Sequence, residues 1–249
     1  MNYQDINAET VDRWVENGWE WGTPVSHAVC ENAKNGDWSV VLTPTVPVPR
    51  AWFGPLRGKK LLGLACGGGQ QMPVFAAAGA VCTVLDYSRR QLEQERLVAE
   101  REGYAVEIVH ADMTRPLPFA DESFDIIFHP VSNDYIKDVY PVFRECARVL
   151  KKGGVLLCGL GKEINFITDA EEKRIVHTMP FDPTQNEAHL RFLKETDSGI
   201  QFSHTLEEQL GGQLRAGLRL TDIYEDTNGA GYLHELNIKT YMATRAVKE

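Results

Sequence analysis

Residues 60–71 read KLLGLACGGGQQ, an apolar run that ends in three consecutive glycines. A short continuous apolar run bounded by glycines reads as a strand buried on both faces. Glycines directly after it let the chain turn sharply and leave main-chain N–H groups open to a ligand. A helix over 70–79 follows, with Gly79 at its end. Its N-terminus points at the same spot and favours polar or anionic groups there. A single strand–turn–helix unit also occurs without any ligand, so the neighbouring segments decide.

Downstream, residues 80–85 (AVCTVL) read as a second strand, stopped by Asp86. Ser88 caps a helix over 89–102 that Gly103 ends. Residues 105–109 (AVEIV) and 124–128 (FDIIF) are the third and fourth strands. Asp138 caps a helix over 139–150, where Lys151 and Lys152 suit the negative end of its dipole. Residues 155–158 (VLLC) are the fifth strand. This alternation predicts a parallel, doubly wound sheet with right-handed crossovers. Residues 160–200 are too long for an ordinary connection and read as an insertion or lid with partial helix. A helix over 204–216 and strands near 218–225 and 236–246 complete the pattern, with the glycine-rich loop Asn228-Gly229-Ala230-Gly231 between the two strands. The expected fold is α/β: a mostly parallel, seven-stranded, Rossmann-like sheet with helices on both faces and an antiparallel last strand.

Upstream, Pro44, Pro47, Pro49 and Pro55 break any long element. Residues 9–17 read as a short helix, and 40–50 as extended chain. The expected organisation is a cap or lid segment over 1–55 and one domain over 56–249. The 249 residues, 43% hydrophobic and 24% charged, suit that size. The net charge is −9, and basic residues cluster no further than Arg89-Arg90 and Lys151-Lys152. That argues against nucleic acid and for a small-molecule substrate, with a protein substrate as the alternative. Cys30, Cys66, Cys82, Cys146 and Cys158 are odd in number and show no C-x-x-C spacing. Neither a disulfide framework nor a metal site is expected. The polar start MNYQDINAET is no signal peptide, and no apolar run reaches membrane-span length. A reducing cytoplasm and no membrane partner are the expectation.

Asp86 follows the glycine turn at the separation expected of a carboxylate that accepts from both hydroxyls of a ribose. A turn aspartate beside the Ser88 cap is the plainer alternative. Asp112 can accept from an adenine amino group while Met113 packs on the ring; a solvated loop aspartate is the alternative. Five segments together resemble the class I S-adenosylmethionine (SAM) methyltransferases. They are LLGLACGGG over 61–69, Leu85-Asp86-Tyr87-Ser88, His110-Ala111-Asp112-Met113, the FDIIF strand, and RVLKKGG over 148–154. The chain also resembles a bacterial methyltransferase group marked by Gly67-Gly68-Gly69-Gln70-Gln71 and His129-Pro130-Val131-Ser132-Asn133.

The resemblance implies that Ala65, Gly67 and Gly69 line the methionine and ribose part of SAM. It implies that Asp86 holds the ribose, that Tyr87 flanks the adenine with Asp112 and Met113, and that His129 faces the methyl group. The family pattern usually carries an acidic residue where this chain has Gly63, and a glycine where it has Ala65. Gln70 or Gln71 is the candidate to replace the missing acidic contact.

Methyl transfer from a sulfonium is an in-line displacement, in which the protein chiefly aligns the nucleophile and excludes water. An oxygen nucleophile also wants a base. His129 is the candidate, with Asp134 and Tyr135 following on the same loop; the alternative is that His129 packs beneath that loop. His204, near Glu207 and Glu208, reads as a solvated helix start. Trp14, Trp19, Trp21 and Trp52 can wall a substrate pocket or staple the N-terminal segment to the core. Two rival readings stand beside methyl transfer. In an NAD-dependent oxidoreductase Met72 would occupy the third glycine position of G-x-G-x-x-G. A non-catalytic SAM binder would use the same cofactor residues.

Overall fold

The structure, a computed structural model, describes residues 2–249. Two helices precede the first strand, α1 (Tyr3–Glu16) and α2 (His27–Lys34). Strands and helices then alternate through β1 (Lys60–Leu64), α3 (Met72–Ala77), β2 (Val81–Asp86), α4 (Arg89–Glu102) and β3 (Val106–His110). β4 (Phe124–His129), α5 (Tyr140–Val149) and β5 (Leu150–Gly161) follow. The insertion carries α6 (Ile164–Ile167) and α7 (Glu187–Glu195). The chain continues with α8 (Leu206–Arg215), β6 (Leu218–Asp226), α9 (Gly231–Glu235) and β7 (Tyr241–Lys248).

The seven strands form one sheet in the order β3-β2-β1-β4-β5-β7-β6. Pairs from β3 to β5 are parallel, and β7 runs antiparallel between β5 and β6. Side chains alternate across the central strands, as the period of two requires. Leu62, Leu64 and Ile127 enter a core shared with Val142 and Phe143 of α5. Leu61, Ile126 and Phe128 enter a core shared with Ala33 of α2, Phe75 of α3 and Leu92 of α4. Among the described residues no helix is long and apolar enough to cross a membrane.

Local signals place α4 well. Ser88 Oγ accepts from Gln91 N at 3.1 Å, and Gly103 ends the helix with a left-handed φ of 70°. Long-range contacts account for the departures. The N-terminal helix begins at Tyr3, capped by Asn2, rather than near residue 9. It rests on α4, where Ser88 Oγ donates to Asp12 Oδ1 and Arg90 pairs with Glu16 at 2.7 Å. Residues 40–56 bring Leu42, Val48, Trp52 and Phe53 into the sheet core. Residues 151–154 belong to β5 rather than to a helix end. There the register against β4 jumps from Phe124↔Leu150 to Ile126↔Val155, and Lys151 Nζ reaches Asp125 Oδ2 at 2.9 Å. The last strand starts at Tyr241 rather than 236, because Glu172 of the insertion draws the preceding loop into α9. It accepts from Leu233 N at 2.7 Å and from Asn228 Nδ2 at 2.8 Å.

Candidate active site

Over the carboxyl ends of the parallel strands lies a cleft of two adjoining lobes. The larger, about 880 Å³ including space open to solvent, is bordered by Gly67 and Gln71 of the glycine turn, Trp19 and Trp21, Asp134 and Tyr241. The smaller, about 750 Å³ on the same measure, is bordered by Tyr87, Asp112, Met113 and the α1 residues Gln4, Asn7 and Val11. Ala65, Asp86 and Gln91 border both lobes and mark their junction.

The turn after β1 explains both departures from the family pattern. Ala65 has a left-handed φ of 48°. Glycine adopts that conformation freely, whereas alanine holds it at a cost of about 1 kcal/mol. At Gly63 a Cβ would lie 2.8 Å from both Sδ and Cε of Met72. The space an acidic side chain would need is therefore filled by a core methionine. Gly68, at φ 93°, admits no side chain either, since a Cβ would sit 2.7 Å from the Trp21 carbonyl oxygen. Asp86 organises the turn from β2. Its Oδ2 accepts from Gly67 N at 3.0 Å and its Oδ1 from Ser88 N at 2.9 Å. Burial pushes its carboxyl above the ordinary value despite these bonds.

The expected site residues separate on inspection. Ala65, Gly67, Gln70, Gln71 and Asp86 border the larger lobe, and Tyr87, Asp112 and Met113 the smaller. Gln70 spends its amide on the N-terminal segment, donating to Glu20 O at 2.6 Å and Thr23 O at 3.1 Å. The Gln71 side chain accepts only a long bond from Cys66 Sγ, 3.5 Å, among the described residues. Asp112 Oδ1 accepts from Thr114 N at 2.8 Å, which fixes its carboxylate at the lobe edge. Tyr87 stacks on His110 and donates to Asp5 Oδ1 at 2.8 Å, latching α1 over the smaller lobe.

Two expected residues border neither lobe. Gly69 faces α4: its N–H donates to Glu95 Oε2 at 3.1 Å and its carbonyl accepts from Val25 N at 2.9 Å. His129 is completely buried beneath the loop. Its Nδ1 lies 2.9 Å from the Leu64 carbonyl oxygen and its Nε2 2.9 Å from Asn133 Oδ1. Burial lowers its pKa. With both nitrogens engaged it ties β4 to β1, so the expectation that it faces the methyl group as base is corrected. His204 is likewise no solvated helix start. It is buried and its Nε2 lies within hydrogen-bond distance of the carbonyls of Asn133 and Ile136. Of the tryptophans, Trp19 and Trp21 reach the larger lobe, while Trp52 packs on Tyr224 and donates to Asp222 at 2.7 Å.

Residues 62–158 match the family model of a methyltransferase domain. Over 249 aligned residues the chain is 43% identical to an uncharacterized methyltransferase, YbaJ, of Bacillus subtilis, covering 97% of each chain. The chain belongs to the SAM-dependent methyltransferases. A ubiquinone biosynthesis O-methyltransferase of Dinoroseobacter shibae is 30% identical over 42% of each chain. A crystallised SAM-dependent methyltransferase from Mesorhizobium loti shares the fold, with a TM-score of 0.61 and 19% identity over 80% of this chain and 95% of that one.

Motif reading of this methyltransferase passed over Gln91. It stands on the first turn of α4, and its Oε1 is buried at the junction without a hydrogen-bond partner among the described residues. A polar side chain on the buried face just after Asp86 was the available signal. Tyr135 and Tyr241 were beyond sequence reading as a pair, since only the β5–β7 pairing brings residue 241 to the cleft. Away from the cleft, His27, Glu31 and Glu102 lie together, but Lys34 and Arg101 already neutralise the two carboxylates.

Glu95 supports the turn from behind. It is fully buried and accepts from Gly69 N and, at 2.9 Å, from Tyr104 OH. Burial outweighs those bonds and pushes its carboxyl from 4.5 to about 7. A raised carboxyl favours the folded state least when ionised. Stability therefore falls as pH rises from the ordinary value to about 7 and is level above it. The cost at pH 8 is about 3 kcal/mol, at about 1.4 kcal/mol per pK unit. Glu95→Gln keeps an acceptor for Gly69 and removes the charge. It should unfold at higher urea than the native protein at pH 8 and at nearly the same urea at pH 4.5; equal midpoints at pH 8 would refute this account.

Proposed function

We propose that this methyltransferase transfers the methyl group of SAM to a small-molecule acceptor seated in the larger lobe. One observation carries the reading: a single cleft whose two lobes meet at Asp86. The smaller lobe has the apolar walls an adenine wants, in Leu85, Met113 and Ile136, with the Asp112 carboxylate at its edge. At the junction Asp86 keeps lone pairs for a ribose diol, beside the unpartnered Gln91 amide oxygen. Gly67 and Gln71 lead from there into the larger lobe and suit the methionine portion, with Gln71 rather than Gln70 free to bind it. When bound, SAM supplies a methyl group already activated by the sulfonium. The chain holds the ends of the cofactor, excludes water and aligns the acceptor.

Aromatic walls from Trp19, Trp21, Tyr135 and Tyr241 suit an apolar acceptor, and among the described residues no lysine or arginine borders either lobe. The α1 roof and a net charge of −9 weigh against a nucleic-acid substrate. The segment shared with the O-methyltransferase relative spans only 42% of the chain, so the acceptor is argued from this chain's own walls. Calorimetry with SAM, S-adenosylhomocysteine (SAH) and NADH tests the reading. SAM and SAH should bind and NADH should not. Incubation with SAM and a panel of apolar hydroxyl, amine and thiol compounds should release SAH. Folded protein without affinity for SAM or SAH would end the proposal.

A further inference from the structure

We propose that Asp134 takes the proton from the methyl acceptor, and that the acceptor is a hydroxyl compound with an apolar body. This rests on the cofactor placement proposed above. Asp134 lies in the short turn Asn133–Tyr135 between β4 and α5, on the wall of the larger lobe.

The main chain of that turn is held from outside at four successive carbonyls. His204 Nε2 lies 3.0 Å from Asn133 O and 2.9 Å from Ile136 O. Phe202 N donates to Asp134 O at 2.7 Å, and Asn7 Nδ2 donates to Tyr135 O at 3.1 Å. The segment between the insertion and α8, together with α1, thus fixes one short stretch of backbone. Its carboxyl is treated in the opposite way. Asp134 is 6% exposed, and its Oδ1 is buried without a hydrogen-bond partner among the described residues. Room is kept for it by β5, where a Cβ on Gly161 would collide with its Oδ2. Buried polar groups are nearly always bonded, and an exception calls for a reason. A rigid backbone, a gap held open by glycine and a carboxyl lacking a donor describe a site whose donor arrives with the ligand.

Burial pushes this carboxyl up to about 7, so near neutral pH it can accept a proton and still be largely ionised just above. The titratable groups that face it are the phenols of Tyr135 and, from β7, Tyr241; burial pushes both upward, and neither is charged near neutral pH. As the hydroxyl oxygen forms its bond to the methyl carbon, its proton passes to the Asp134 carboxylate. The electron pair of the breaking S–C bond stays on sulfur, leaving SAH and the neutral methyl ether.

Sinefungin, which carries a primary ammonium where SAM carries the sulfonium methyl, provides the test. Its dissociation constant and that of SAH are measured by calorimetry from pH 5.5 to 8.5, on the full native chain and on Asp134→Asn. The preference for sinefungin over SAH should grow about fivefold or more through pH 7 in the native protein, and Asp134→Asn should flatten it. A preference indifferent to pH, or unchanged in Asp134→Asn, overturns the proposal; the native pH series decides by itself if the variant does not fold. Binding of neither ligand instead removes the cofactor reading on which the proposal rests. With a phenol panel as acceptor, kcat should rise with pH to a plateau above 7, and Asp134→Asn should lower kcat about 100- to 10,000-fold with a smaller change in KM. Methylation confined to thiols would overturn the acceptor class.

Discussion

Asp86→Ala is expected to weaken SAH binding about 100- to 10,000-fold, the largest loss from any single change at the junction. The proposed ribose contact loses two hydrogen bonds to a charged acceptor, each contributing about 1.5–3 kcal/mol. The same change frees Gly67 N and Ser88 N, which Asp86 now accepts from at 3.0 and 2.9 Å. The turn therefore loosens at the point where the two lobes meet. Asp86→Asn should be intermediate, since an amide keeps one acceptor and turns a donor toward another. Calorimetric titration with SAH, on variants whose circular dichroism matches the native protein, reads the effect. Affinity within threefold of native for Asp86→Ala would place the ribose elsewhere.

The second large effect concerns Asp226, at the end of β6. It is buried and accepts from Thr43 Oγ1 at 2.8 Å, Thr45 N at 2.7 Å, Val46 N at 3.0 Å, Thr45 Oγ1, and Thr227 N at 2.7 Å. One carboxylate thereby pins residues 43–46, whose Thr43 and Pro44 border the larger lobe. Asp226→Ala leaves those donors without their acceptor and should cost about 3–5 kcal/mol, or about 10 °C in Tm for a chain of this size. The pH dependence has a definite sign. Burial pushes this carboxyl up, but the bonds from Thr45, Thr43 and Val46 outweigh it and hold the folded value below the ordinary one. Its stabilisation is present above the ordinary carboxylate pKa near 4 and is lost as the pH falls through the folded value. Urea denaturation at pH 7 and at pH 3 should show the native-to-variant gap narrowing in acid; a gap independent of pH would refute the assignment.

The parallel half of the sheet was legible because its signals are local. Apolar runs of strand length, the Ser88 cap and the Gly103 stop require only neighbouring residues, and each lies where the sequence places it. The position of Asp86, Asp112 and Met113 on the cleft border was legible for the same reason: each ends or follows a parallel strand, and parallel strands deliver their carboxyl ends to one edge. His129 was misread because its position at the end of β4 is correct while its side chain turns inward, toward the Leu64 carbonyl. Strand position tells where Cα lies, and packing tells where the ring goes. Asp134 was named beside it only as the next loop residue, since nothing in residues 130–136 reveals that Asn7, Phe202 and His204 converge on that turn.

Residue order and spacing, taken alone, establish the parallel α/β sheet, the glycine turn and the acidic residues at its edge, because strand burial, capping and chain reversal act over a few residues. Assembly of the folded chain chose which of those residues face the cleft. It turned His129 and Gly69 away, laid α1 across the smaller lobe, brought Tyr241 in through an antiparallel strand, and left Asp134 Oδ1 without a hydrogen-bond partner among the described residues. Those outcomes depend on contacts between segments up to about two hundred residues apart, such as the bond from Asn7 Nδ2 to Ile200 O, and no local pattern encodes them.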